Sequence, residues 1–172
     1  MDKGYLQIYT GDGKGKTTAA LGLTLRAAGA GFQVLFLQFL KQGNYSEARA
    51  LQQFSGKVTH EQYGSGRFVR GKPSKEDRLA AQKGFERAVA AMASGEFDLI
   101  VLDEANVALS LDLLPLDRLL AALDNRPAGV EVVLTGRGAP EALLARADLI
   151  TEMKAVRHYY QQGVKARVGI EK

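Results

Sequence analysis

Short apolar runs alternate along this chain with longer segments of helical period. The runs lie at Tyr5–Thr10, Val34–Phe39, Phe97–Leu102, Val130–Thr135 and Asp148–Met153, with a shorter sixth at Lys165–Ile170. Each run has the length and the apolar character of a strand. Val34–Leu37 is hydrophobic throughout, and this predicts burial on both faces, as in a parallel sheet.

Five segments between these runs are predicted to be helices. They are Lys16–Ala28, Tyr45–Phe54, Ser74–Ser94, Leu116–Leu123 and Pro140–Arg146. The third has a defined start, because Ser74 and Asp77 can form a capping box and Pro73 disfavours helical backbone before it. Strands that alternate with helices predict an α/β fold, in which a mostly parallel sheet lies between two helical layers.

The segment Gln62–Pro73 has no regular period and contains Gly64, Gly66 and Gly71. A surface loop accounts for this composition. Long irregular segments in compact domains are often functional, so a lid or a substrate-contact loop is the alternative interpretation.

The turn between the first strand and the first helix is rich in glycine. Its residues, all expected to bind ATP, are Gly11, Asp12, Gly13, Lys14, Gly15, Lys16, Thr17 and Thr18. Glycines let backbone N–H groups curl around phosphate oxygens, and the helix N-terminus adds the positive end of its dipole. Lys16 would reach the outer phosphates, and the Thr17 hydroxyl would ligate Mg²⁺. The context predicts a P-loop that grips the polyphosphate of a magnesium nucleotide.

One position departs from the usual P-loop pattern. The pattern has its first glycine five residues before the Gly15–Lys16 pair, where this chain has Thr10. The loop is therefore a variant of the motif. With the alternating elements, it predicts a three-layer, RecA-like P-loop NTPase domain.

A second acidic signal follows a buried run. Phe97–Leu102 leads directly into Asp103 and Glu104. Ligands collect at the carboxyl ends of strands in open α/β sheets, so this pair is expected to face the P-loop and to contribute to a Mg²⁺ site with Thr17. Which carboxylate contacts the metal stays open, and a helix cap after the strand is the alternative interpretation.

Arg137 follows another buried strand, within Thr135–Gly138. An arginine at this edge could neutralise triphosphate charge during the reaction, and we predict a catalytic role for it beside Lys16. A tight turn with a solvated arginine is an equal alternative.

Composition narrows the class of protein. The chain has 172 residues, 46% of them hydrophobic and 24% charged, which suits one soluble domain over residues 1–172. No apolar run approaches the roughly 20 residues of a membrane span, and no secretory signal precedes the first strand, so we expect a cytoplasmic protein. The chain contains no cysteine. The net charge of +4 is scattered, which argues against a nucleic-acid partner.

Taken together, these motifs resemble the P-loop type of corrinoid adenosyltransferase, and the likeness covers nearly the whole chain. The matching segments are Thr10–Thr18, Val34–Lys41, Leu99–Glu104, Asn125–Pro127, Leu134–Gly138, Ala147–Asp148 and the tail from Val156 to Glu171. The variant P-loop is a feature of that family. The resemblance implies that cobalt(I) of a reduced corrinoid attacks the 5′ carbon of ATP and that inorganic triphosphate leaves.

The resemblance also implies partners and a corrinoid-side residue. It predicts a homodimer and an external reductase that supplies cobalt(I). In the family, loop aromatics help to displace the lower cobalt ligand, and Phe68 is the corresponding residue here, with an alignment ambiguity against Arg67. Some members have an N-terminal helix that covers the site, whereas this sequence starts almost at its first strand, so closure is expected to depend on Gln62–Pro73 or on a second subunit.

Two other functions stay open at this point. A RecA-like ATPase or phosphoryl-transfer enzyme would use Glu104 to position water or another nucleophile near the γ-phosphate. A nucleotide sensor would bind ATP without turnover. The reaction products distinguish these functions from an adenosyltransferase.

Overall fold

The computed structural model describes residues 1–66, 69 and 71–171. Its strands are β1 Leu6–Thr10, β2 Val34–Phe39, β3 Val58–Tyr63, β4 Leu99–Asp103, β5 Glu131–Thr135 and β6 Leu149–Glu152. They pair in parallel in the order β3-β2-β4-β5-β1-β6. The helices are α1 Lys16–Gly29, α2 Ser46–Gln52, α3 Lys75–Ser94, α4 Ala105–Ser110, α5 Leu116–Asp124 and α6 Glu141–Leu144. The predicted α/β class is confirmed.

The strand β2 shows why helices cover both faces of the sheet. Its side chains alternate: Val34 and Phe36 pack with α1 and α2, whereas Leu35, Leu37 and Phe39 pack with α3, α4 and α5. All five side chains are wholly buried. Successive residues of a strand point to opposite faces, so a continuously apolar strand requires a helical layer on each side.

Two elements were missing from the sequence-based prediction. β3 is the edge strand beside β2, and most of its residues are half-exposed or exposed, so it lacks the continuous apolar signal of the central strands. α4 is only six residues long and begins directly after β4 and Glu104. Both elements are too short or too polar for their periodicity to distinguish them from a loop.

The predicted strand at Lys165–Ile170 is wrong. The described residues 165–170 contain no strand, and the Glu171 N–H bonds instead to the Arg167 carbonyl at 3.0 Å. Val168 and Ile170 are 72% and 55% exposed, so the apolar residues that suggested a strand face no core. A short 3-10 turn, Tyr159–Gln162, precedes this segment.

The start of α3 confirms the predicted capping box. The Asp77 N–H donates to Ser74 Oγ at 3.2 Å, and the Ser74 N–H donates to Asp77 Oδ2 at 2.9 Å. These two bonds satisfy backbone donors that a helix start otherwise leaves unpaired. Among the described residues, no helix is both long enough and apolar enough to cross a membrane.

Candidate active site

The glycine loop lies between β1 and α1, and it explains the unusual Thr10. Gly11 and Gly15 have φ values of +92° and +121°, which place both in conformations that favour glycine. Thr10 is instead the last residue of β1, and its carbonyl accepts the Met153 N–H at 2.9 Å. The turn is made one residue later than the usual pattern suggests, so threonine fits at position 10.

Lys16 is folded onto the loop itself. Its Nζ donates to the Gly11 and Gly13 carbonyls, both at 2.6 Å, and the residue is only 9% exposed. Burial, followed by the charge of Arg137, lowers the pKa of Lys16. A lowered pKa means that the site destabilises this cation, and a polyphosphate would compensate for that cost.

The N-terminus of α1 faces the same loop without a side-chain cap. The first N–H groups of a helix have no partner within the helix, and they form a ready anion-binding site together with the helix dipole. The Gly13 N–H is different, since it donates to the Met153 carbonyl at 2.6 Å. The loop therefore offers amides at the helix start, while the Gly13 amide holds the loop against the residue that follows β6.

Three residues of the predicted ATP-binding set point outward. Asp12, Lys14 and Thr18 are exposed. Lys14 Nζ forms an ion pair with Glu171 of the C-terminal tail at 3.1 Å, and Glu171 also accepts hydrogen bonds from Tyr159 and Arg167. The tail thus contacts the loop through the half-buried Glu171 and the exposed side chain of Lys14.

Asp103 is wholly buried at the end of β4, and four donors surround its carboxylate. Oδ1 accepts hydrogen bonds from the hydroxyls of Thr17 at 2.8 Å and Thr135 at 2.7 Å. Oδ2 accepts from Gln38 Nε2 and Lys41 Nζ, each at 3.0 Å. Burial alone would raise the pKa of Asp103, but Lys41 and these hydrogen bonds hold it below its usual value. The group is therefore an ionised, fully bonded carboxylate.

Glu104 differs from its neighbour. It is a non-glycine residue with a φ of +60°, and its N–H donates to Thr135 Oγ1 at 3.0 Å. Burial, followed by the charge of Asp103, raises the pKa of the Glu104 carboxyl. A left-handed glutamate at a strand end is strained, and such strain is concentrated at functional sites.

Arg137 lies after β5 with an exposed side chain. Its charge acts on both Lys16 and Glu104, so the structure brings it to the same edge of the sheet as the P-loop and the acidic pair. Gly136, the preceding residue, has a φ of +126°, and an added Cβ there would lie 3.0 Å from the Val107 nitrogen. The turn that presents Arg137 is therefore closely packed against α4.

Two residues near Asp103 received no role in the sequence-based reasoning. Gln38 is wholly buried in β2, where it interrupts an otherwise apolar strand, and Lys41 follows that strand. Lys41 Nζ also lies 3.7 Å from Glu47 Oε1, within ion-pair distance. The sequence feature that could have identified Gln38 is its position inside a buried strand, because a buried polar side chain must find hydrogen-bond partners.

A cavity of about 760 Å³ opens between the C-terminal end of β3 and the start of α3. Its walls include Gln42, Gln62, Gly64, Val69 and Lys72. The irregular segment predicted from the sequence thus borders a large open space. Phe68, the predicted corrinoid-side residue, and its alternative Arg67 lie outside the described residues.

The parallel sheet with helices on both faces and the glycine loop after β1 define a fold of the P-loop NTPase class. A solved structure with the same fold is the flagellar accessory protein FlaH from Methanocaldococcus jannaschii, with a TM-score of 0.60 and 16% identity over 88% of this chain and 72% of that one. At that identity the likeness concerns the fold alone.

Sequence comparison narrows the class to a family. Residues 2–171 match the family model described as ATP:corrinoid adenosyltransferase BtuR/CobO/CobP. A corrinoid adenosyltransferase of Pseudomonas aeruginosa is 36% identical over 99% of this chain and 84% of its own length. One from Escherichia coli K12 is 34% identical over 99% and 86%. The chain therefore belongs to the ATP:corrinoid adenosyltransferase family and is a transferase.

Proposed function

We propose that this protein transfers the 5′-deoxyadenosyl group of ATP to the cobalt(I) of a reduced corrinoid. The cobalt(I) electron pair forms the new cobalt–carbon bond, the C5′–O bond breaks, and its electrons leave on inorganic triphosphate. The observation that carries the proposal is a buried lysine, Lys16, on a glycine loop at the uncapped start of α1, in a chain of this family. Residues 1–172 act as one domain in this proposal.

The residues around the glycine loop suit a triphosphate leaving group. Lys16, the first amides of α1 and Arg137 would stabilise the negative charge that builds on the departing oxygens. Preorganised donors of this kind are usually the largest catalytic term, and removing one typically slows a reaction about 10²–10³-fold. The reaction needs no protein nucleophile, since the attacking electron pair belongs to the corrinoid.

The donor set also fits Mg²⁺. The Thr17 hydroxyl donates a hydrogen bond to Asp103, and the lone pairs of the Thr17 oxygen therefore remain available to a hard cation. Both oxygens of Asp103 already accept two donors each, so we assign the direct metal contact to Thr17 and Glu104, with Asp103 acting through Thr17. Bound Mg²⁺ would supply charge neutralisation on the phosphates.

The rest of the metal shell would come from outside the protein. The described residues contain no group of three or more histidine, aspartate or glutamate side chains that could hold a metal ion. Mg²⁺ commonly binds through one or two protein ligands together with phosphates and water. The metal would therefore arrive with ATP, as the magnesium nucleotide.

The cavity beside Gln62 and Gly64 is our proposed corrinoid site. It opens at the carboxyl edge of the sheet, where ligands of open α/β folds collect. Its wall includes Val69, the residue that follows Phe68 in the sequence, and Phe68 is the residue expected on the corrinoid side.

Partners and location complete the proposal. The chain has no cysteine for an iron–sulfur cluster, so an external reductase would supply the electron that produces cobalt(I). Leu149 and Ile150 of the edge strand β6 are 44% and 49% exposed, and they offer apolar surface to a second copy in a homodimer. We place the protein in the cytoplasm. Light scattering on the purified protein would test the dimer.

Anaerobic incubation with MgATP and a chemically reduced corrinoid tests the function. The proposal predicts a light-sensitive adenosyl corrinoid, visible in the absorption spectrum, and product formation at least about 10²-fold slower with Lys16→Ala. ADP and phosphate with an unchanged corrinoid would instead indicate an ATPase. Tight ATP binding with neither product would indicate a nucleotide sensor.

A further inference from the structure

The two oxygens of Asp103 face two different parts of the molecule. Oδ1 accepts the hydroxyls of Thr17 and Thr135, which belong to the nucleotide side. Oδ2 accepts hydrogen bonds from Gln38, near the end of β2, and from Lys41, two residues after that strand. A wholly buried carboxylate is thus shared between the glycine loop and the strand next to the cavity.

Gln38 connects Asp103 to the cavity wall. Its Nε2 donates to Asp103 at 3.0 Å, while its Oε1 accepts Gln62 Nε2 at 3.1 Å and lies 2.9 Å from His60 Nε2. Gln62 lines the cavity and also accepts the Gly43 N–H at 3.0 Å. A hydrogen-bonded chain therefore runs from the cavity through Gln38 and Asp103 to Thr17.

Lys41 provides a second connection. Leu40, before it, has a φ of +59°, a strained conformation for a leucine that redirects the chain after β2. Gly64 of the cavity wall packs against this turn so closely that an added Cβ would lie 2.6 Å from the Lys41 nitrogen and 2.7 Å from the Leu40 carbonyl carbon. Displacement of the cavity wall at Gly64 would therefore move the backbone that carries Lys41.

We propose that Gln38 and Lys41 are positioning residues that couple the cavity to the nucleotide site through Asp103. They touch neither substrate in this account. A ligand in the cavity fixes Gln62 and Gly64, these residues fix the two donors on Oδ2, and Asp103 then holds the Thr17 hydroxyl in place. This inference rests on the proposed function, because it takes the cavity as the corrinoid site.

The expected consequence is cooperative binding of the two substrates. Coupling between two sites is commonly about 5- to 150-fold, and it is reciprocal. We expect cob(II)alamin, which lacks the cobalt(I) electron pair, to tighten MgATP binding at least about 5-fold in the unmodified protein. The coupling ratio is the Kd for MgATP without cob(II)alamin divided by the Kd with it, measured by anaerobic calorimetry.

The variants separate coupling from a structural role. Lys41→Met should bring the ratio close to one, whereas Lys41→Arg should retain it because the cation remains. Gln62→Met cuts the other connection at the cavity wall, away from Asp103, and should reduce the ratio. Lys57→Met is the matched control: Lys57 is exposed, precedes β3 at the opposite end of the sheet from the cavity, and donates to the Gly31 carbonyl at 2.8 Å.

Each outcome decides the inference. A ratio of one in the unmodified protein, or a ratio in Lys41→Met equal to that of Lys57→Met, would overturn it. A lower unfolding temperature in Lys41→Met with an unchanged ratio would also overturn it, since that result describes a structural role alone. The same preparations are then assayed with cobalt(I). If the unmodified protein forms product but its coupling ratio is one, only the coupling is rejected. If the unmodified protein forms no product, the proposed function is rejected.

Discussion

The glycine loop is held from two directions, and the two contacts differ in kind. On the β4 side, Thr17 bonds to Asp103, which is wholly buried and is fixed by four donors. On the tail side, the exposed Lys14 meets Glu171, and one backbone bond joins Gly13 to Met153. Exposed ion pairs contribute little to stability, whereas buried polar networks strongly define geometry. The position of the glycine loop is therefore set by the core of the sheet.

The largest expected effect comes from the two lysines of the loop. Lys16→Ala should lower turnover at least about 10²-fold, because the variant loses the buried cation that we propose to bind the triphosphate. Lys14→Ala is the matched control, since Lys14 lies two residues away with an exposed side chain. Steady-state kinetics of adenosyl transfer checks this prediction. Equal losses in the two variants would contradict the different roles given to the two sides of the loop.

Gly13→Ala tests the backbone contact between the glycine loop and Met153, the residue that follows β6. A Cβ at Gly13 would lie 2.7 Å from the Met153 carbonyl oxygen, so one of these two backbone segments must move. We expect a loss of about 1–3 kcal/mol in the free energy of unfolding. Urea titration measures this value.

Gly22→Ala is the control for that substitution. Gly22 is exposed on α1, and an added Cβ would meet nothing within 4 Å. Alanine is favoured over glycine inside a helix by roughly 0.5–1 kcal/mol, so this variant should gain stability. A similar loss in both variants would mean that the close approach at Met153 does not matter.

Glu104→Gln should stabilise the protein without ligands at neutral pH while it weakens Mg²⁺-dependent ATP binding. Burial and Asp103 raise the pKa of Glu104, so its ionised form destabilises the fold. Relative to a glutamate in the unfolded chain, Glu104 therefore contributes to the free energy of unfolding at acidic pH, and this contribution is lost as pH rises through its raised pKa. The difference in unfolding temperature between the variant and the unmodified protein should therefore widen from acidic to neutral pH.

The smallest effect is expected in the tail. Glu171→Gln removes the charge that Lys14 and Arg167 share. Hydrogen bonds from Arg167, followed by the one from Tyr159, hold the pKa of the Glu171 carboxyl well below its usual range. Because the pair is solvated, we expect no measurable change in the unfolding temperature at physiological salt. A clear decrease would show that the tail stabilises the fold more than exposed ion pairs normally do.

The sequence predicted the elements that have strong local signals. The P-loop, five of the six strands and the capping box of Ser74 and Asp77 follow from residue type and spacing over a few positions. The strand β3 escaped prediction because an edge strand with polar residues carries a weak pattern, while Val168 and Ile170 mimicked a strand without any core to face.

The arrangement around Asp103 depends on contacts between distant parts of the chain. Gln38, Thr135 and Thr17 meet Asp103 only because β2, β4, β5 and α1 are neighbours in the folded sheet. The left-handed backbone of Glu104 likewise needs the Thr135 hydroxyl, which lies 31 residues away. Residue spacing identified the acidic pair, and only the fold distinguished Asp103, whose oxygens are saturated with donors, from Glu104, to which we assign the proposed metal contact.

The fate of the three phosphates tests the central claim most directly. The unmodified protein would be given MgATP and limiting cob(I)alamin without oxygen, and triphosphate would be separated from ADP and phosphate by ion-exchange chromatography. The account predicts one intact triphosphate for each adenosyl corrinoid formed, because the bond that breaks is C5′–O. ADP and phosphate in amounts that follow ATP consumption would contradict it, since the glycine loop would then serve hydrolysis at the γ-phosphate.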